Sequence, residues 1–206
     1  MQKIAPGLHL KFDTSTLSLI LANVITIFLA VWQGWDLLIV MWVFWFQSVI
    51  IGIFNFFRIM DLKNFSTENF RINEMPVQPT KGVKIFTGFF FLFHYGMFHF
   101  CYAIFLLTAT LGRAGSGSMP INFLLIFLSA AIFFVNHLFS YLYNKKEDAL
   151  KKQNIGKVMA FPYARVIPMH LMLWAAFAVH NTGALVWFLI LKTVADVIMH
   201  SVQHAK

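Results

Sequence analysis

The stretch LLIVMWVFWFQSVIIGIFNFFRIM, which runs from Leu37 to Met60, decides the fold of this chain. Its only charged residue is Arg58, close to the end, and most of its other residues are apolar or aromatic. A helix needs about 20 predominantly apolar residues to cross the hydrocarbon core of a bilayer. The stretch is long enough and apolar enough to do so, and it predicts a transmembrane helix.

Five further runs of the same kind occur along the chain. The six predicted spans are Thr16–Gln33, Leu37–Met60, Val83–Thr110, Ile121–Tyr143, Phe161–His180 and Gly183–Gln203. The chain is 59% hydrophobic and 12% charged, whereas soluble domains are about 45–50% apolar. We therefore predict an all-α fold, in which residues 1–206 form a single domain, a polytopic bundle of six transmembrane helices with the lipid bilayer as its partner.

The basic residues predict the topology of this bundle. The formal net charge is +8, and apart from Arg113 and Lys192 the cations lie at the termini or in and beside the loops 61–82 and 144–159. Cytoplasmic loops of membrane proteins carry an excess of Lys and Arg. Both termini and these two loops are thus predicted to be cytoplasmic, and the positive charge needs no nucleic-acid partner to explain it.

The two longer loops differ in their predicted structure. Residues 61–82 contain Pro76, Pro79 and charges of both signs, and we expect a loop folded over the inner mouth of the bundle. In residues 144–159, Glu147 precedes Lys151 by four positions, an order that supports a helical turn. That second segment is either an interfacial turn or a solvated run of charges.

Ionisable residues lie inside four of the predicted spans, where hydrocarbon should exclude them. They are His94, His137, His170 and the pair Asp196 and His200. A charged group at the bilayer centre costs roughly 2.5–3.5 kcal/mol on the insertion scale, so such residues normally face one another, water or a cofactor. With a rise of about 1.5 Å per residue, all five lie at similar depth in the cytoplasmic half. We expect them to share one cavity.

The sixth span carries a polar stripe. Lys192, Asp196 and His200 recur at every fourth position, which places them on one side of a helix. That side is expected to face the interior of the bundle. Two interpretations remain open: an internal ion pair of Lys192 with Asp196, or a role for Asp196 as a metal ligand or as the acceptor that orients a ligating imidazole.

The third span offers two histidines, of which one suits a shared site. His94 and His99 are five residues apart, about 140° around a helix, so both cannot point at one small centre. His94 is preferred for its depth and for the neighbouring Gly96, which would let another helix approach closely. His99 is expected to be an interhelical hydrogen-bonding residue.

The composition of this cluster predicts a site for a transition metal ion, because imidazole suits zinc, iron and copper. The candidate ligands are His94, His137, His170, Asp196 and His200, and the candidate catalytic residues are Asp196 and Lys192. A bound divalent ion lowers the pKa of its water from about 15.7 to about 7. The predicted activity is metal-dependent hydrolysis or oxidation of a small lipid-soluble substrate that enters from the bilayer.

Two other functions fit the same residues. Two of the histidines could be axial ligands of a haem in an electron-transfer protein, with Arg165 and Gln47 as the candidate cofactor-binding residues. Alternatively, His, Asp and Lys at staggered depths are typical of a proton or ion pathway, although polar residues thin out in the outer half of this bundle. A homo-oligomer is compatible with each of these functions.

Four segments resemble a family of bacterial integral-membrane proteins of unknown function. They are Trp45–Asn55, Phe93–Phe98, Arg165–His170 and Leu191–His200. The resemblance implies a bacterial inner-membrane location. It also implies that the family shares the positions His94, His137, His170, Lys192, Asp196 and His200. Finally, it implies an acidic residue where this chain has Gln47, so that a protonatable or anionic ligand is missing here.

Overall fold

A computed structural model describes most of the chain outside its N-terminal segment. The described residues are 21, 24–25, 27–28, 31–115, 121, 123–150, 152–176 and 182–204, with the backbone alone at 140, 144, 147–150, 172–176, 182–183 and 198–204. Most of the predicted span Thr16–Gln33 lies outside the described residues, although residues 21, 24–25, 27–28 and 31–32 are helical. The prediction of a first span therefore stays a prediction.

Three long helices form the centre of the structure. Helix α1 is Leu37–Asp61, α2 is Lys81–Gly115 and α3 is Phe123–Leu150. In the part of the chain that the structure describes, these three helices are long and apolar enough to cross a membrane. They match the predicted second, third and fourth spans. The predicted loop from residue 144 begins too early, because the residues up to Leu150 include no Gly or Pro and continue α3.

The predicted fifth span is not one continuous helix. It is divided into α4 (Ile155–Ala160), a 3-10 helix (Phe161–Arg165) and α5 (Val166–Ala176). Pro162 stands in the first turn of the 3-10 helix. Proline lacks a backbone N–H and clashes with the preceding turn, so it disfavours a continuous α-helix through this point. Helix α6, Thr182–His204, follows and covers the residues of the predicted sixth span, but it is not among the three helices named above, so its crossing of the membrane stays a prediction.

Short strands join the two loops that the sequence predicts to be cytoplasmic. Strand β1 (Phe65–Ser66) pairs in parallel with β4 (Gln153–Asn154), and β2 (Arg71–Ile72) pairs with β3 (Met75–Pro76) in a hairpin. These two-residue strands were not predicted, but the all-α class is confirmed because the core is helical. We call the end of the bundle that carries these strands the loop end.

The core lies where α1 packs between α2, α3 and α6. Gly52 of α1 leaves room for the ring of Tyr95 of α2, because a Cβ at Gly52 would stand 2.6 Å from that ring. Trp45 donates its indole N–H to the carbonyl of His99 at 2.8 Å. The prediction that Gly96 allows close helix approach is wrong: nothing lies within 4 Å of its Cβ position, and the tight contact is made at Gly52 instead.

Charged contacts hold the two ends of the bundle. At one end Asp36 caps α1 by accepting hydrogen bonds from the backbone amides of Leu38 and Ile39, and it forms an ion pair with Arg113 of α2. At the loop end Asp61 accepts a hydrogen bond from Tyr141 and lies 3.1 Å from the ammonium of Lys145. These contacts set the register of α1 against α2 and α3.

We expect Asp61→Asn to loosen the loop end of α3 without unfolding the bundle. The hydrogen bond to Asp61 raises the pKa of Lys145, so the lysine keeps its proton at neutral pH and the contact weakens in alkaline solution, as that proton is lost. Both groups are partly exposed, and exposed ion pairs contribute little to global stability. Hydrogen exchange should rise several-fold in residues 141–146, and Lys146→Gln is the matched control. Unchanged exchange in the Asp61 variant would contradict this role.

Candidate functional site

Three charged side chains from two helical segments meet in the interior of the bundle. Asp196 of α6 accepts from Arg165 at 3.4 Å and from Lys192 at 2.6 Å. The side chains of Arg165, Asp196 and Lys192 are 7%, 15% and 24% exposed. We call these three residues the charge centre.

Helix α1 completes the surroundings of Arg165. The guanidinium donates from Nε to the Ser48 hydroxyl at 3.1 Å and from Nη2 to the side-chain oxygen of Gln47 at 3.3 Å. Its Cζ atom also lies 4.3 Å from the centre of the Phe44 ring. Ser48 in turn donates to the Phe44 carbonyl at 2.9 Å. Arg165 thus links the end of the 3-10 helix to α1 and α6, because its planar fork of donors reaches several acceptors at once.

The sequence predicted part of this arrangement. The ion pair between Lys192 and Asp196, one of the two interpretations of the sixth span, is confirmed by its 2.6 Å distance. The pairing of Arg165 with Asp196 was missed. A signal for it exists, since the only Arg in the predicted fifth span and the only carboxylate in the sixth are natural partners in an apolar environment.

The charge centre holds more basic than acidic side chains. It contains two basic side chains, those of Arg165 and Lys192, and one carboxylate, that of Asp196. The two described neighbours on α1, Gln47 and Ser48, are neutral hydrogen-bonding groups. The formal charge of these three side chains is therefore +1, and the low dielectric of the interior screens such charges less than water does.

Two histidines predicted as metal ligands are instead paired with tyrosines. Nδ1 of His94 lies 2.8 Å from the hydroxyl of Tyr163, and Nδ1 of His170 lies 3.3 Å from the hydroxyl of Tyr102. His94 is half-buried and His170 is exposed. His99 faces the core, where its Nδ1 contacts the Tyr95 carbonyl at 2.9 Å. The expectation that His94 and His99 point to different centres is confirmed.

The remaining predicted ligands are not gathered around a common point. His137 of α3 lies between the rings of Phe54 and Phe133, at centroid distances of 6.2 and 4.3 Å. The side chain of His200 lies outside the described residues. Among the side chains that are described, no group of three or more His, Cys, Asp or Glu residues could hold a metal ion. Metal binding and haem binding stay predictions, and the geometry favours neither.

Tyr95 is a site residue that sequence reasoning passed over. Its hydroxyl donates to the carbonyl of Ser48 at 3.1 Å, one turn before Gly52, against which its ring packs. It therefore holds the segment of α1 that supplies Gln47 and Ser48 to Arg165. The available signal was the series Phe91, Tyr95 and His99, which recurs every four residues on one side of α2.

The fold and the charge centre define a class of protein: an all-helical chain with helices of membrane-spanning length and a largely buried cluster of basic and acidic side chains. The chain belongs to DUF6498, a family of unknown function, whose model matches residues 9–206. The resemblance to a family of unknown function is thereby confirmed. No curated protein and no solved structure matches the chain. Function must therefore be argued from the charge centre itself.

Proposed function

We propose that this protein is an integral membrane protein of the bacterial inner membrane that binds a small anion at the charge centre and carries it across the bilayer. In this proposal the six predicted spans cross the membrane with both termini in the cytoplasm. The observation that carries the proposal is that two basic side chains, Arg165 and Lys192, meet one carboxylate, Asp196, inside the bundle.

An excess charge in a poorly polar interior favours a counter-ion. Two unit charges about 5 Å apart attract each other by about 3 kcal/mol at an effective dielectric constant of 20. Arg165 and Lys192 supply N–H donors of the kind that bind carboxylates, phosphates and halides. A monovalent anion beside Lys192 would match the formal charge of the three side chains, and the partly exposed Lys192 provides the point of entry.

The backbone near Arg165 supports movement at this site. Arg165 stands at the junction of the 3-10 helix and α5, inside a run that the sequence predicts as one span. Short 3-10 segments within helices often mark hinges, and broken helices surround the ion sites of many transporters. Asp196 can stay with Arg165 while an anion replaces it at Lys192. Binding would then be reversible without leaving either cation uncompensated.

Substitutions that change the charge of the centre test this proposal. Gln47→Glu and Lys192→Gln each lower the net charge to about zero, Asp196→Asn raises it to about +2, and the double variant Lys192→Gln with Asp196→Asn returns it to about +1. Purified protein in proteoliposomes on a solid-supported membrane can be given concentration jumps of chloride, nitrate and acetate. The dependence of the current amplitude on the anion concentration gives the affinity for that anion.

We expect the affinity for anions to rise with the formal charge of the charge centre. The neutral variants should bind at least tenfold more weakly than wild type, Asp196→Asn should bind more tightly but turn over more slowly, and the double variant should recover binding. Gln47→Glu is the sharpest variant, since it preserves shape and both cations. Affinity that is unchanged across this series, or no current from wild type with any of the three anions, would overturn the proposal. Elemental analysis and a visible spectrum of the same preparation test the metal and haem predictions.

A further inference from the structure

A second feature, built from other side chains than the charge centre, lies on the side of α2 that faces α5 and the 3-10 helix. Aromatic side chains recur there at every fourth position, and neighbouring ring centroids are 5.1–6.4 Å apart. The series is Phe86, Phe90, His94, Phe98 and Tyr102. We call it the aromatic ladder. Its exposed members give it one side open to the surroundings of the bundle.

Two hydrogen-bonded pairs mark this ladder. His94 pairs with Tyr163, and Tyr102 pairs with His170. The two positions on α2 are eight residues apart, so the pairs are separated by about 12 Å along the helix. Each tyrosine hydroxyl can donate to Nδ1, and in that tautomer the imidazole carries its ring proton on Nε2. Within the described chain neither Nε2 has a hydrogen-bond partner.

Such donors are unusual on the outer side of a membrane bundle. Polar groups at membrane depth normally face the interior, water or a partner. Here the exposed His170 and the half-buried His94 lie beside aromatic rings instead. An N–H donor next to a row of aromatic rings suits a ligand that is planar, lipid-soluble and equipped with acceptor oxygens. A diacyl lipid offers carbonyl oxygens but no planar ring to pack against these side chains.

We infer that the aromatic ladder binds a quinone-class molecule from the bilayer. The head group lies against His94 and Phe98 and accepts a hydrogen bond from a histidine Nε2, while the apolar tail follows the exposed side of α2. This inference concerns binding alone and does not depend on anion transport at the charge centre. Tyr163 and Tyr102 are positioning residues, because they orient the two imidazoles.

Photolabelling tests this inference directly. Wild-type protein in phospholipid nanodiscs is labelled with an azido derivative of decylubiquinone, and the modified peptides are mapped by mass spectrometry. We expect saturable labelling of residues 90–102 and 163–170 that decylubiquinone competes away. The variants His94→Phe and His170→Phe keep an aromatic ring but lose the donor, and at least one of them should weaken competition by about tenfold. Phe100→Leu is the matched control, since Phe100 is 66% exposed and lies outside the ladder.

The outcomes separate the possible occupants. Competition that is weakened in a histidine variant but unchanged in Phe100→Leu supports the quinone site. Labelling that does not saturate, that spreads over all exposed helices, or that excess phospholipid removes as well as decylubiquinone does would overturn it. Because the wild-type map is decisive by itself, a histidine variant that fails to fold leaves the inference testable.

Discussion

Replacing Arg165 with glutamine should lower the free energy of unfolding by about 3 kcal/mol, the size expected when one partner of a buried ion pair is removed. The substitution removes the ion pair with Asp196, the hydrogen bonds to Ser48 and Gln47, and the contact with the Phe44 ring. Asp196 keeps Lys192 as a partner, so the loss is smaller than for an isolated buried carboxylate.

Unfolding in mixed micelles of dodecyl maltoside and dodecyl sulfate, followed by tryptophan fluorescence, measures this effect. Lys157→Gln is the matched control, because Lys157 is an exposed cation on the neighbouring helix α4. Arg165→Lys should fall between the control and Arg165→Gln, since it keeps the charge but loses the planar fork of donors. Equal stability of Arg165→Gln and the control would show that the charge centre does not hold the bundle together.

Gly52→Ala should also destabilise the bundle, by about 2–3 kcal/mol, the upper range for overpacking in a core. The added Cβ would stand 2.6 Å from one carbon of the Tyr95 ring and 2.8 Å from another. That ring cannot easily move aside. It is 4% exposed, stacks on Phe91 and is held at its hydroxyl by the carbonyl of Ser48.

Gly96→Ala provides the control for this prediction. No atom lies within 4 Å of the Cβ position at Gly96, and alanine is favoured over glycine within a helix by up to about 1 kcal/mol. We therefore expect opposite signs: Gly52→Ala less stable and Gly96→Ala equal or more stable in the same micelle assay. Adding Tyr95→Leu to Gly52→Ala should recover part of the loss. Two alanine variants of equal stability would contradict the close contact between α1 and α2.

The long helices could be predicted from apolar runs in the sequence. The points at which a helix is broken were harder to predict. The span Leu37–Met60 differs by one residue from helix α1, because a long apolar run has no other way to satisfy its backbone in a membrane. The predicted span Phe161–His180 failed because apolar composition does not reveal where a helix changes type. Pro162 was visible in the sequence, but the fold determines whether a proline ends a helix or begins one.

In the candidate site, too, contacts within one helix were predictable and contacts between helices were not. Lys192 and Asp196 are four residues apart on one helix, so their ion pair follows from helical geometry alone. His94, His137 and His170 were expected together because they lie at similar depth, but depth does not determine direction. The structure places them beside Tyr163, Phe133 and Tyr102 respectively.

The sequence by itself determined the all-helical class, the positions of three long apolar helices and the ion pair within α6. These features depend on composition and on the period of one helix, which are local properties. Only the tertiary structure decided that Arg165 meets Asp196, that Gly52 rather than Gly96 admits a neighbouring helix, and that two imidazoles pair with tyrosines. Those contacts depend on how each helix is rotated about its axis, and that rotation is set by packing between helices distant in sequence.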